Sequence, residues 1–131
     1  TGVNQLLVKA ELKNIGFIEA FIATAHNIPH DKRASALIIA TEVFDNIAEH
    51  AVLVKNTDIR LAVSNIFFPR LCFSYCSTNF DKLLQALKHP HPYFDPHTKR
   101  YRGFGLLMTR NLSRSVRYRQ WANRSYITVY L

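Results

Sequence analysis

The run from about Lys32 to Val52 constrains the fold of this sequence more than any other stretch. Leu37, Ala40, Phe44, Ile47 and Ala51 recur at helical spacing and form one apolar stripe, suited to packing on a sheet. Away from that stripe, Glu42, Asn46 and His50 are successive i, i+4 neighbours within roughly an 80° arc. A carboxylate, an amide and an imidazole aligned on a packed helix form a candidate site. The same spacing also describes a solvated polar face, and the pattern alone does not separate the two.

The flanking segments supply the rest of a mixed architecture. Gln5 to Glu11 has the length and residue types of a first strand. Between Lys13 and His26, Ile15, Ile18, Phe21, Ile22 and Ala25 predict a helix that Pro29 ends, and Asp31 is the expected N-cap of the next. Ile59 to Phe68 and Leu71 to Tyr75 read as strands, with Pro69-Arg70 as the turn between them. Residues 82–88 suggest a short helix. After it, prolines at 90, 92 and 96 argue against regular structure from His89 to His97. The three histidines of that loop and Asp95 have metal-ligand chemistry, but proline-spaced histidines in a loop are ordinarily solvated. Gly103 and Gly105 immediately precede a helical pattern, where glycine permits close backbone approach and a helix N-terminus offers N–H groups to anions. Val116 to Trp121 and Ser125 to Leu131 read as a hairpin around Ala122-Asn123-Arg124.

At 131 residues, 48% hydrophobic and 20% charged, the chain suits one globular domain with a substantial core. No apolar run approaches the roughly 18 residues of a membrane span and no signal-peptide pattern is visible, so a cytoplasmic protein is expected. Cys72 and Cys76 would lie about 13 Å apart along one strand, beyond disulfide reach, and read as buried reduced thiols. The net charge of +8 is unevenly placed. Residues 1–98 hold nine basic and nine acidic side chains, whereas residues 99–131 hold eight basic ones and no acid. Such a segment suits nucleotide phosphates, nucleic acid or an acidic protein surface.

Glu42-x-x-x-Asn46-x-x-x-His50-Ala51 resembles the N box of the anti-sigma-factor serine kinases, a branch of the histidine-kinase-like ATPases. Arg102-Gly103-Phe104-Gly105-Leu106-Leu107-Met108-Thr109-Arg110-Asn111-Leu112, about fifty residues on, resembles the family's second glycine box. The two motifs stand in the family's order, and the resemblance covers nearly the whole chain. It implies an α/β two-layer sandwich, a mixed β-sheet with helices on one face, as a single domain over residues 1–131.

By the same resemblance, Glu42 is the catalytic base that orients or deprotonates a partner's serine. Asn46 holds Mg²⁺ against the phosphates of ATP. His50, Tyr75, Phe80, Arg102, Gly103, Gly105 and Thr128 complete the implied nucleotide site, with Thr128 lining the adenine pocket. The first glycine box departs from the family pattern. Anchored on Phe80-Asp81, it has Tyr75 where relatives carry the adenine-reading Asp and Ser77 where they carry Gly. Losing one such hydrogen bond costs about 1–3 kcal/mol, or roughly ten- to hundredfold in affinity. Arg114 also stands where relatives usually have an acid. The implied partners are a sigma factor and a STAS-type anti-anti-sigma protein, with a homodimer allowed, and neither nucleic acid nor membrane is expected. Three functions are weighed: a regulatory serine kinase using ATP and Mg²⁺, a protein-binding module of the same fold with weakened or lost chemistry, and, least favoured, a direct nucleic-acid binder.

Overall fold

The computed structural model describes residues 3–50, 58–76, 93–96, 100–102 and 109–131. Strand β1 (Val3–Val8) leads through a 3-10 turn at Leu12–Asn14 into helix α1 (Ile15–Thr24). A second 3-10 turn, His30–Lys32, opens helix α2 (Arg33–His50). Then come β2 (Ile59–Asn65), β3 (Pro69–Cys76), the short strands β4 (Tyr93–Asp95) and β5 (Arg100–Arg102), and the hairpin of β6 (Ser115–Trp121) and β7 (Arg124–Tyr130). Five strands form one sheet in the order β1-β2-β3-β7-β6, and β4 pairs with β5 separately.

This is an α/β fold, but the sheet is not the mixed one expected. Every described pair is antiparallel. Tight turns join β2 to β3 and β6 to β7, and such turns can only produce antiparallel neighbours. The two helices return the chain so that β2 runs against β1 as well.

Alternation along the strands assigns each residue to a face. Ile59, Leu61 and Val63 of β2, Leu71, Phe73 and Tyr75 of β3, and Ile127 and Val129 of β7 are buried with Ile18 and Ile22 of α1 and Ile39, Phe44 and Ile47 of α2. The core thus lies between the helices and one face of the sheet. The opposite face is covered by no described helix.

Several boundaries differ from the sequence expectation for identifiable reasons. Pro69 does not sit in the β2–β3 turn. It begins β3 opposite Asn65, a first-strand position where a missing N–H is harmless, and the turn is Ile66-Phe67-Phe68. Those three residues carry no turn chemistry, and Phe67 is 89% exposed. Asp31 caps nothing with its side chain, because a 3-10 turn with Pro29 before it opens α2. Helix α1 ends at Thr24, well before Pro29. The prolines of the 89–97 loop fall outside the three-residue strand Tyr93–Asp95, which leaves that strand free to pair with β5. The β6–β7 turn is Ala122-Asn123, with Ala122 at φ 55°, a conformation glycine adopts more readily.

Among the described residues, no helix is long and apolar enough to cross a membrane.

Candidate functional site

Helix α2 buries a face turned by roughly 60° from the predicted stripe, at 100° per residue. Ile39 and Val43 are buried alongside Ala40, Phe44 and Ile47, while Leu37 is only half-buried. The rotation moves the polar line toward the core. Asn46 is 9% exposed, and Glu42, one turn earlier, is half-buried. A solvated polar face would leave both open to water. Here the line runs along the margin of the packed face.

The Asn46 amide has a defined orientation. Its Nδ2 donates to the Glu42 backbone carbonyl at 2.8 Å, which leaves Oδ1 as the amide's other polar atom. An amide oxygen is a hard ligand suited to magnesium, while the amide nitrogen is not. His50 ends α2 two turns beyond Glu42, in line by backbone position.

Tyr75 faces the same layer from the sheet. It is fully buried on β3, and its register partner on β7 is Ser125, also fully buried. Neither the Tyr75 hydroxyl nor Ser125 Oγ has a hydrogen-bond partner among the described residues. A buried unpaired hydroxyl costs about 1–3 kcal/mol, so this pair is a polar spot in an otherwise apolar layer. Burial also raises the Tyr75 phenol well above its ordinary value near 10. Below pH 10 both folded and unfolded chains keep that proton, and the stability is fully present. Above pH 10 the unfolded chain releases it first, so stability falls by about 1.4 kcal/mol per pH unit. Tyr75→Phe is expected to raise stability at neutral pH by about 1 kcal/mol and to flatten this alkaline loss. Urea denaturation at pH 7 and pH 11 measures both effects. A less stable phenylalanine variant would mean that the hydroxyl has a partner.

Thr128 lies elsewhere. Its neighbours Ile127 and Val129 point into the core, so Thr128 occupies the opposite face of the sheet, where its Oγ1 donates to Cys72 Sγ at 3.5 Å. The sheet therefore separates Thr128 from Glu42, Asn46 and Tyr75. Within β7, the buried polar residue on the helix face is Ser125, which sequence reasoning missed. Three positions along a strand change the face, and only the burial parity could have signalled it. Cys72 and Cys76 share the outer face with Thr128 and are half-buried free thiols rather than core residues.

Arg102 is in β5 opposite Tyr93 by register. Phe80, Gly103 and Gly105 lie outside the described residues, as do Ser77, Asp81 and the helix expected over 82–88. Residues 109–112 are helical, in keeping with the helical pattern after the glycine pair. Among the described residues, no group of three or more His, Cys, Asp or Glu side chains could hold a metal ion.

Comparison with protein-family models finds no matching family, and comparison with curated proteins finds no significant match.

Proposed function

We propose that this chain is an ATP-binding regulatory protein of the anti-sigma-factor kinase type, which phosphorylates a serine on a STAS-type anti-anti-sigma partner. The observation that carries the reading is the Glu42–Asn46 pair. A nine-tenths-buried amide has its nitrogen tethered to its own helix and its oxygen left over, one turn from a half-buried carboxylate. That donor set suits one magnesium ligand and one acceptor for a hydroxyl proton.

In this reading Asn46 Oδ1 holds Mg²⁺, and Mg²⁺ when bound neutralises the phosphates of ATP. Glu42 orients and accepts the proton of the partner's serine. Arg102, Gly103 and Gly105 supply the phosphate-binding segment, and His50 and Phe80 flank the nucleotide. Tyr75 and Ser125 contribute the polar atoms on the sheet side. Phosphoryl transfer depends largely on positioning and charge neutralisation, which these groups provide. The sigma factor is the second proposed partner.

A protein-binding module of the same fold is the competing reading. What favours it is the phenol ring of Tyr75, fully buried where relatives carry an adenine-reading carboxylate. Metal dependence separates the two. Asn46→Ala is expected to weaken Mg-ATP binding about tenfold, or about 1.4 kcal/mol, and to leave metal-free ATP binding within twofold. Titration calorimetry with and without Mg²⁺ measures this. Equal loss under both conditions would remove Asn46 from the metal site.

A further inference from the structure

The outer face of the sheet, opposite α1 and α2, gathers charge that the linear sequence scatters. Alternation and register place Arg60 of β2, Arg70 of β3, Arg117 and Arg119 of β6 and Arg124 of β7 on this one face. The outward positions of β1, β2, β3, β6 and β7 contain no Asp or Glu, and Asp58, just before β2, is paired with Lys9 at 2.8 Å. None of the five arginines forms an ion pair with a described residue. Arg70 Nε donates to Ser64 Oγ at 2.8 Å and Arg124 donates to Ser74 Oγ at 3.1 Å, so both guanidinium groups are held by neutral hydroxyls that leave their charge intact.

Aromatic rings alternate with these charges. Trp121, Tyr126 and Tyr130 point to the same face, with Trp121 74% exposed and Arg119 lying over the Tyr126 ring at 4.8 Å. Between Tyr126 and Tyr130 lies a trough of about 750 Å³, lined by the small side chains Ala62, Cys72 and Thr128 from three adjacent strands. Tyr130 and Arg70 stand on one side of these small residues and Tyr126 on the other, with Arg117 at the end of the trough.

We infer that this face binds single-stranded nucleic acid, laid across the strands with phosphates on the arginines and unpaired bases against the rings. Charge complementarity selects a polyanion, and it excludes a second copy of the chain, whose identical face would carry the same five positive charges. Exposed rings beside a lining of small residues favour a ligand with planar faces of its own. An acidic polypeptide would use the charges and leave the rings idle, and a duplex keeps its bases stacked internally. The inference does not rest on the kinase reading, whose described residues Asn46, Tyr75 and Ser125 are buried on the helix side of the sheet.

Trp121 is the chain's single tryptophan, so its fluorescence reports this face alone. Titration of the full chain with a twelve-residue oligothymidylate is expected to quench that emission, with affinity falling steeply as salt rises. Arg117→Ala combined with Arg119→Ala is expected to lower the slope of log affinity against log salt by about 1.4, at about 0.7 per phosphate contact. Tyr130→Leu, which keeps the packing and removes the ring, is expected to weaken binding about fivefold or more without changing that slope. Asn46→Ala is expected to leave oligothymidylate binding unchanged. Polyglutamate that binds as well as oligothymidylate, or a Tyr130→Leu variant with full affinity, would overturn the inference in favour of an acidic protein partner. Absence of quenching with no measurable binding at low salt would overturn it outright.

Discussion

Replacing Arg33 with alanine is expected to lower the free energy of unfolding by about 2–4 kcal/mol. The first residue of α2 reaches across to the end of α1 and serves four backbone carbonyls. Its guanidinium donates to Ile22 at 2.6 Å, Ala23 at 3.2 Å, Ala25 at 3.0 Å and Ile28 at 3.2 Å. The last carbonyls of any helix lack intrahelical partners, and α1 is followed by the extended residue Ala25 rather than by a glycine cap. Arg33 takes over that role and also ties down the 25–28 connection. A charged donor to a neutral acceptor contributes about 1.5–3 kcal/mol, and the four bonds share one side chain, so their sum is not additive. Lysine offers a point charge rather than a fork and recovers less than half of the loss in Arg33→Lys. Guanidinium denaturation of the three proteins measures this. A change below about 0.5 kcal/mol in Arg33→Ala would show that water serves those carbonyls equally well.

Under the proposed kinase reading, Glu42→Gln carries the largest expected effect on activity. A positioned carboxylate base contributes about 10²–10⁴-fold, and glutamine keeps its size and hydrogen-bonding reach while losing its basicity. Transfer of labelled phosphate from ATP to a STAS-type partner's serine should fall by about that factor. Nucleotide affinity should stay within about threefold, because the proposed metal ligand is Asn46. The split between lost turnover and kept binding is the signature of a base. Parallel loss of both would instead point to a collapsed α2, whose buried margin Glu42 adjoins.

The parts of this molecule that were legible in the sequence are those with a clean period. The helical spacing of Ala40, Phe44 and Ile47 announces α2, and that of Ile15, Ile18 and Ile22 announces α1. What stayed hidden depends on parity, register or distant contacts. Thr128 and Ser125 are three positions apart, and only the burial of Ile127 and Val129 decides that Ser125 looks toward α2. The Ile66-Phe67-Phe68 turn reads as strand in the sequence because its residues are strand-formers, and the three-residue span between Asn65 and Pro69 overrides that preference. Arg33 gave no signal at all, since its acceptors are main-chain atoms set by the path of the 25–28 loop. The outer basic face was half-visible. The one-signed segment 99–131 was evident, but its union with Arg60 and Arg70 required the strand order β2-β3-β7-β6.

The candidate site follows the same division. The spacing of Glu42, Asn46 and His50 was readable, whereas the burial of Asn46 came from the rotation of α2 that Ile39 and Val43 impose. That burial weighs against a merely solvated polar face.

Calorimetric titration of the unmodified chain with Mg-ATP tests the proposed nucleotide site most directly. Heat release fitting a single site with a submillimolar dissociation constant is the predicted result. No detectable heat at millimolar Mg-ATP, from protein whose folding is verified in the same cell, would contradict it and leave the protein-binding module in its place.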